Sequence, residues 1–467
     1  MKLAALHRGR SRRRKEADDR MVRSASSRRR LQGSVLIIVL WISLGLVAIT
    51  LYFANAMSSE LRASDNRVAM IAADQAIEGA ARYVSNVLTN QATNGVVPHL
   101  NDYASTDVPV GNASDDLANA HFWLLGRNDG QGATDQITYG LVDEGSKLNI
   151  NNPEVTLEML ELLPNMTSEF AAAIIDWRDE NEDISPGGAE SETYARLRPA
   201  YLCKNARFDS VDELRLVSGA SLYLLIGEDL NRNGILDPNE TDEDRDGVAD
   251  PGILDYVTVY SREPNTRVDG TPRASVNGNR QELRTLLEDT LGDARAGQIL
   301  GQIQPPNRQF ESLLEFYDVT RMTETEFMQI EADITTASGP TIEGRVNVNT
   351  ASAAVLTCIP GIGEDKALEI VNYRLSNTVG VNSVAWVKNV LSGAQLREAG
   401  PFLTGQTYVF SADIAALGPF GRGYRRARFV YDLTEGTAKI VHRQNLGHLG
   451  WALGQETRRN LLARATP

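Results

Sequence analysis

The sequence is poor in the residues that enzymes and zinc sites commonly use. Of its 467 residues only two are cysteine, Cys203 and Cys358, and only five are histidine. Two cysteines are too few for a disulfide framework or a zinc site, and no two histidines have the spacing of a zinc-binding helix. Nucleotide-binding glycine loops and a nucleophile elbow are also missing. We therefore predict that the protein is not an enzyme. Both cysteines are expected to be buried thiols, although an oxidising compartment would allow them to pair.

Positive charge is scarce outside the first 33 residues. That segment holds 12 basic and 3 acidic residues, a net of +9, whereas the rest of the chain holds 35 and 58, a net of −23. An acidic surface repels phosphate groups, which argues against nucleic acid as a partner. Calcium is the partner that such acidity favours.

Charge is absent between Ser34 and Ser59. The 21-residue apolar run Ser34–Ala54 would form a helix about 30 Å long, which matches the hydrocarbon core of a bilayer. Three arginines, Arg28, Arg29 and Arg30, precede it, so the positive-inside tendency keeps the start in the cytoplasm and exports the body. Apolar residues at three- and four-residue spacing predict that the helix continues to about residue 90.

Three interpretations of this start compete. A signal peptide would be cut near Ala54–Ala56, but its apolar region is normally shorter. A plain membrane anchor would stay intact. In the third interpretation, the segment Arg30–Gly33 followed by Ser34 resembles a type IV prepilin leader, which a prepilin peptidase cuts between Gly33 and Ser34. The mature chain would then have Ile38 at its fifth position, where most of that family have glutamate. The start codon, Met1 or Met21, is left open.

An internal repeat occupies the body of the chain. Each copy begins with a basic residue and two asparagines at the end of a predicted strand. An L-x-x-φ-P segment follows, where φ is an apolar residue, and then a helix that ends in an aromatic residue and an arginine. This order predicts a strand followed by a helical hairpin. The first copy lies at residues 147–178 and the second at residues 345–374. Pro360–Gly363 resembles the helix-hairpin-helix turn of DNA-binding proteins. The first copy lacks the glycines and no basic cluster follows the second, so a structural hairpin is favoured.

These segments are similar to those of the K-type minor pseudopilins of type II secretion systems, which typically lack the glutamate replaced here by Ile38. Other similar segments are Asp176–Asp179, Gly187–Glu190, Phe208–Arg215 and Val257–Pro264. The resemblance implies an α+β fold with a long N-terminal helix, a small pilin-type antiparallel sheet and a large helical insertion containing two hairpin repeats. The expected organisation is a leader at 1–33, the helix at 34–90, the first part of the sheet at 91–145, the insertion at 146–400, and C-terminal strands and tail at 401–467.

The sharpest chemical signal is an acidic loop at residues 229–250. Its first part matches D-x-N-x-N-G-x5-E, whose oxygens converge on a calcium ion. A second acidic loop follows, but Ile253 stands where a bidentate glutamate would be expected, so it is either a weaker site or one that shares ligands. Asp179, Asp183 and Glu190 are further candidates. The predicted metal residues are Asp229, Asn231, Asn233, Ile235, Asp237, Glu240, Asp242, Asp244, Asp246, Val248 and Asp250.

The resemblance implies a structural function at the tip of a periplasmic pseudopilus. The expected partners are other minor pseudopilins, the prepilin peptidase and the inner membrane, which the chain would cross once with its body in the periplasm. Calcium is the expected cofactor. Two alternatives remain open: a minor pilin of a type IV pilus, and an exported helix-hairpin-helix receptor for DNA.

Overall fold

Helices and short strands alternate along most of the chain. The computed structural model describes residues 4–127, 136–377, 380 and 382–465, without the side chains of residues 4–34 and 462–465. It divides into two units, Met1–Val68 and Ala69–Pro467. The α-helices of the described residues are α1 Ala4–Gln91, α2 Leu157–Glu161, α3 Ser168–Arg178, α4 Ser191–Tyr194, α5 Leu222–Ile226, α6 Arg280–Leu291, α7 Asp293–Gln302, α8 Leu313–Thr320, α9 Glu324–Ile330, α10 Ala353–Thr357, α11 Gly363–Ser376, α12 Ala394–Ala399 and α13 Gly454–Ala465.

The strands are mostly short. They are β1 Val108–Val110, β2 Ala120–Leu125, β3 Val142–Asp143, β4 Leu148–Asn149, β5 Val257–Thr258, β6 Arg262–Pro264, β7 Ala274–Ser275, β8 Ile334–Thr335, β9 Thr341–Glu343, β10 Val346–Asn347, β11 Leu403–Thr404, β12 Val409–Gly418, β13 Arg422–Asp432 and β14 Lys439–Asn445. The predicted α+β class with a long apolar N-terminal helix is confirmed.

Helix α1 contains no proline, which is one reason why it runs so far without a break. In the first unit, its large apolar side chains between Val35 and Phe53 are all exposed. By length and composition this helix could cross a membrane, and it is the single such helix among the described residues. These properties fit a single-pass membrane anchor.

In the second unit, α1 buries one face made largely of small residues. Ala73, Ala76 and Ala80 are fully buried, together with Ile77 and Val84 at the same three- and four-residue spacing. These side chains pack against a sheet whose inner face carries Phe122, Leu124, Phe410, Ile414, Phe429 and Tyr431. The small side chains of α1 leave room for the large ones of the sheet.

The sheet has the strand order β1-β2-β12-β13-β14, and β3 pairs with the start of β12. All of these pairs are antiparallel. Alternation along β12 divides its side chains between two faces: Ile414 faces α1, whereas Leu417 joins a second apolar cluster with Trp123 and Leu453. Alternating apolar residues predict strands at residues 408–414, 425–433 and 438–444. These segments correspond to β12, β13 and β14.

Alternation in residues 136–142 also predicts a strand. This prediction is wrong, because only the last residue of the segment belongs to a strand, β3. Tyr139 makes an isolated antiparallel bridge to Leu125. Gly140 has φ +148° in the following position. This conformation interrupts the extended path that the alternating sequence suggested.

The helical part of the second unit has its own core. One cluster of buried residues extends from Leu148 to Leu403 and includes Phe170, Phe316 and Trp386. Two-stranded parallel ladders, β4 with β5 and β10 with β11, border this core. The domain boundaries inferred from the sequence remain a prediction.

Candidate metal centre

The loop that begins at Asp229 turns so that its backbone N–H groups point at the Asp229 carboxylate. The Asp229 side chain is 3% exposed and accepts hydrogen bonds from the backbone N–H groups of Asn233 (3.0 Å) and Gly234 (2.7 Å). Gly234 has φ +83°, a conformation that glycine adopts with little strain. The sharp turn that the motif predicts at this glycine is therefore present.

Glu240, at the C-terminal end of the loop, also points its carboxylate at backbone N–H groups of the loop. Glu240 accepts hydrogen bonds from the backbone N–H groups of Asn231 (3.1 Å) and Asp237 (2.8 Å). The amide groups of Asn231 and Asn233 donate to one oxygen of Asp237, at 2.7 and 2.9 Å. The polar side chains predicted as ligands thus converge within one loop. Ile235 contributes its backbone: its N–H donates to Asn233 Oδ1 at 3.0 Å.

The electrostatics of this loop fit a cation. Asn231 Oδ1 is buried and has no hydrogen-bond partner among the described residues. Burial, together with the nearby charges of Asp255 and Glu240, raises the pKa of Asp229 to about 7. A hard cation bound to these oxygens would remove both unfavourable features. It would coordinate the unpartnered amide oxygen of Asn231, and its positive charge would lower the pKa of Asp229 by favouring the ionised carboxylate. The donor set is therefore suitable for calcium.

A buried arginine of the sheet anchors this loop. Arg426 on β13 is 1% exposed and donates to the backbone carbonyls of Asn231 and Arg232, the latter at 2.8 Å. The same guanidinium forms a two-pronged ion pair with Asp413 of β12, at 2.8 and 2.7 Å. Arg232 in turn pairs with Asp255 at 2.7 Å. The loop is thereby attached to the sheet face opposite α1, a contact that the sequence did not reveal.

The second acidic loop gains a carboxylate from outside its motif. Glu228, Asp242 and Asp244 each offer an oxygen within 4.8 Å of the other two. Glu228 is 4% exposed, whereas Ile253 at the expected twelfth position is fully buried in the core. Glu228 was missed by the sequence analysis because it precedes the first loop. The one sequence feature that could have identified Glu228 as a candidate is that this acidic residue directly precedes Asp229.

The remaining residues predicted for the second loop lie outside this group of three. Asp246 is exposed and accepts a hydrogen bond from the N–H of Val248 at 2.7 Å. The N–H of Asp250 donates to Glu228 at 3.3 Å. These contacts shape the turn and do not bring the Asp246 carboxylate to the other carboxylates.

A third acidic group lies at the end of α3. Asp176, Asp179 and Glu190 bring their carboxylates within 4.8 Å of one another, and Asp183 is not part of the group. Glu190 is 2% exposed, and neither of its oxygens has a hydrogen-bond partner among the described residues. Burial raises the pKa of Glu190, and the charge of Asp176 adds to the effect. Asp176 was missed as a candidate although it stands in the acidic motif noted in the sequence.

Both cysteines are buried and unpaired. Burial raises the pKa of Cys203 and of Cys358 to about 12, so each remains a neutral thiol near pH 7. The interpretation of two buried thiols is confirmed.

The two copies of the repeat form the same asparagine turn. Asn149 Oδ1 accepts a hydrogen bond from the N–H of Asn151 at 2.9 Å, and Asn347 Oδ1 accepts one from the N–H of Asn349 at 3.0 Å. The turns follow β4 and β10, each of which pairs with a parallel strand. The regular spacing of the asparagines is thus explained by a turn at the strand end.

The arginine that closes each copy also has the same function. Arg178 donates to the carbonyl of Ile150 at 2.5 Å, and Arg374 donates to the carbonyl of Val348 at 2.8 Å. Each arginine lies on the second helix of its copy, so it fastens that helix to the turn. This explains why an arginine closes both copies, although it lies 28 residues after the accepting carbonyl in the first copy and 26 residues after it in the second.

The glycine turn of the second copy is covered by helix α12. Gly361 and Gly363 have φ +79° and +67°. A Cβ atom built on Gly361 would lie 3.1 Å from the carbonyl oxygen of Gln395 and 3.1 Å from a carboxylate oxygen of Glu398, both on α12. An acidic side chain at this place disfavours a phosphate group.

Two family models match parts of the chain. Residues 146–225 match the model described as protein K of the type II secretion system, first domain. Residues 342–391 match the helix-hairpin-helix motif, which corresponds to the second copy of the repeat.

The type II secretion system protein K of Klebsiella pneumoniae is 39% identical over 69 residues, which cover 14% of this chain. The match spans about a fifth of that relative, 21% of its length. A solved structure, the GspK-GspI-GspJ complex of the enterotoxigenic Escherichia coli type 2 secretion system, contains a chain with 10% identity and a TM-score of 0.43, covering 84% of this chain and 99% of that one.

The family model and the Klebsiella relative agree with the similarity noted in the sequence. Both concern protein K of the type II secretion system, and the family model lies on the segment that contains the first copy of the repeat and the acidic motif at Asp176–Asp179. These matches confirm the resemblance seen in the sequence: residues 146–225 are similar to protein K of the type II secretion system.

Proposed function

We propose that the protein is the structural tip subunit of a type II secretion pseudopilus and supports the export of folded proteins. The observation that carries the proposal is the protein K match at residues 146–225 in a chain whose N-terminal helix contains an exposed apolar segment. The large second unit would obstruct stacking along a filament shaft, and this favours a position at the end. The proposed function is structural and involves no catalysis.

The proposed topology follows from charge and the leader. The prepilin peptidase cuts between Gly33 and Ser34, which both lie within α1 but whose side chains are outside the described residues. The apolar part of α1 then crosses the inner membrane once, and the body lies in the periplasm. In the second unit, Met70 and Ile71 are exposed on α1, and they offer an apolar face to the helices of other minor pseudopilins.

The sheet packed on α1 is proposed to be of the pilin type, with the two copies of the repeat as structural hairpins in an insertion. The identical asparagine turns and arginine contacts support the repeat interpretation. The Glu398 carboxylate next to Gly361 and the net charge of the body argue against the alternative of a DNA receptor.

Calcium is proposed to bind the first loop through Asp229, Asn231, Asn233, Asp237 and Glu240, with the carbonyl of Ile235. The second loop is proposed to bind with Glu228 in place of the missing glutamate. Calcium supplies positive charge that relieves carboxylate repulsion, so it fastens a long loop to the folded body.

The function is tested by deleting the gene and complementing it. We expect loss of secretion of folded substrates that this chain restores, and co-elution of the protein with two smaller minor pseudopilins in calcium buffer. Normal secretion in the deletion strain, with loss of surface pili, would favour the type IV minor pilin instead. Salt-sensitive retention of the protein on DNA would favour the receptor.

A further inference from the structure

A cavity of about 600 Å³ lies between α11, the first calcium loop and the outer face of β13. Four basic side chains line it: Arg127, Lys147, Arg232 and Arg428. We call it the cationic cavity. It is formed entirely by residues of the second unit, in a body whose net charge is strongly negative.

One wall of the cationic cavity is apolar. Leu368, Val371 and Leu375 line it and follow one another at positions i, i+3 and i+7 of α11, so they form a stripe along one side of the helix. Leu368 and Leu375 are 49% and 52% exposed. An adjacent side of α11 packs in the core through Ala367 and Ile370, and Val371 is partly buried against the same core. The stripe is therefore accessible apolar surface facing a group of cations.

Two of the four cations have a close carboxylate partner. Lys147 pairs with Glu144 at 2.7 Å, and Arg232 pairs with Asp255 at 2.7 Å. Even so, Nε of Arg232, whose side chain is 5% exposed, is buried without a hydrogen-bond partner among the described residues. An N–H group of this kind is stabilised by an acceptor that enters the cavity.

The other two cations are less well compensated. Arg428 is 3.8 Å from Asp413, but that carboxylate already accepts two hydrogen bonds from Arg426. Nε of Arg428 is also buried without a partner among the described residues. Arg127 lies over the ring of Tyr256 at 5.3 Å and has no ion pair recorded with the described carboxylates. Three carboxylates, Asp229, Asp255 and Asp413, also line the cavity. Among the described residues the four basic groups therefore exceed the acidic ones by one, and Asp413 is already shared with Arg426.

We infer that the cationic cavity is a binding site for an amphiphilic carboxylate, whose anionic head contacts Arg127, Arg232 and Arg428 and whose apolar part packs on the Leu368–Leu375 stripe. Guanidinium groups bind carboxylates through strong, charge-assisted hydrogen bonds. A bare inorganic anion would leave the apolar stripe unused. The carboxylate comes either from a short-chain fatty acid or from the C-terminus of a peptide ending in an apolar residue.

This site also adjoins the proposed calcium loop, because Asp229 lines the cationic cavity. A cation bound to Asp229 removes the effect of a negative charge facing the ligand. Binding is therefore expected to be tighter with calcium than with a chelator, whereas the site itself does not depend on the proposed secretion function.

The test uses the full chain in lipid nanodiscs with millimolar calcium, with empty nanodiscs subtracted. Calorimetry measures binding of hexanoate, and of a pentapeptide ending in leucine with either a free or an amidated C-terminus. We expect the free carboxylates to bind and the amidated peptide to bind at least about tenfold more weakly, a loss expected when a charge-assisted hydrogen bond is removed. Preference for hexanoate or for the peptide identifies the source.

Two variants probe the two parts of the site. Arg127→Gln removes a cation without disturbing a strand, and Leu375→Asp puts a negative charge on an exposed position of the stripe. Both should weaken binding at least about tenfold, whereas Arg196→Gln, on an exposed arginine outside the cavity, should not. Unchanged melting temperatures show that the variants fold. The inference is wrong if the wild type does not bind the carboxylates. It is also wrong if Arg127→Gln and Leu375→Asp bind them as tightly as the control Arg196→Gln.

Discussion

At the scale of single residues, the chain contains ionisable groups whose charge state depends mainly on their burial. Asp229 is one and Glu331 is another. Glu331 accepts hydrogen bonds from the hydroxyl group of Ser383 and from the N–H of Val384, the latter at 3.0 Å. Such groups connect the stability of the fold to pH and to bound cations.

Calcium should stabilise the protein through Glu240. We expect chelation to lower the melting temperature of the wild type, since a ligand that binds only the folded state adds RT ln(1 + [L]/Kd), about 2.7 kcal/mol at a hundredfold excess. Glu240→Gln should remove most of this difference, because the amide gives one oxygen in place of a bidentate carboxylate. Glu161→Gln, on an exposed glutamate outside both loops, retains the ligands and serves as the control. Superimposable melting curves with calcium and with chelator would contradict the proposed site.

Glu331 should make stability fall as pH rises. Burial raises the pKa of Glu331 to about 7 from an ordinary value of 4.5. Because the folded state holds the proton more tightly, the stabilisation is complete below pH 4.5 and is lost as pH rises through 7. The loss is at most about 3 kcal/mol.

Urea unfolding of the wild type and of Glu331→Gln at pH 5 and pH 8 measures this effect. The glutamine variant should lose less stability over that interval, since its side chain does not titrate. Glu311→Gln, on an exposed glutamate, should behave like the wild type. Identical pH dependence of Glu331→Gln and the wild type would mean that Glu331 keeps an ordinary pKa.

At the scale of elements, the acidic loop and the sheet depend on each other through Arg426. Arg426→Gln would leave Asp413 buried without its full partner and would remove two contacts to the loop. We expect a loss of about 3–5 kcal/mol in the free energy of unfolding, as for one partner of a buried ion pair. The rise in melting temperature on adding calcium should also become smaller.

The neighbouring arginine provides a matched control for this experiment. Arg425 points to the other face of β13 and pairs at 3.0 Å with Asp74, whose side chain is 54% exposed. Arg425→Gln should cost at most about 1 kcal/mol, since exposed pairs contribute little. Equal losses in the two variants would show that the loop is not held by Arg426.

Patterns within short sequence segments predicted several helices, strands and turns correctly. The alternation in residues 408–444 identified β12, β13 and β14, and the apolar spacing identified α1. The motif at Asp229 placed the sharp turn at Gly234. In contrast, the segment 136–142 alternates like a strand, but Gly140 interrupts it.

Contacts between distant parts of the chain could not be predicted. Arg426 reaches the carbonyls of residues that precede it by almost half of the chain, and no local signal distinguishes it from Arg425 or Arg428. Glu228 precedes the loop that it completes and falls outside the motif. The cationic cavity is formed by several separate segments, so it too was invisible in the sequence.

At the scale of the whole molecule, the division between a basic start and an acidic body predicts how the chain is processed. We expect the mature protein to begin at Ser34, since the leader segment Arg30–Gly33 directly precedes the apolar run. N-terminal sequencing of the membrane fraction gives the answer. A start at Met57 would instead indicate signal peptidase, and an intact leader would indicate a plain anchor. Gly33→Leu should block processing, whereas Gly9→Leu should not.

The sheet joins strands that are far apart in the order of synthesis. Strand β2 pairs directly with β12, although nearly all of the helical part of the chain lies between Leu125 and Val409. While the chain is being made, β2 therefore exposes an open edge and α1 lacks most of its apolar cover until the final strands emerge. Closing so large a loop slows the pairing, and an unpaired edge invites association with other chains. A polypeptide that ends before β12 would therefore aggregate and would not form a smaller functional protein.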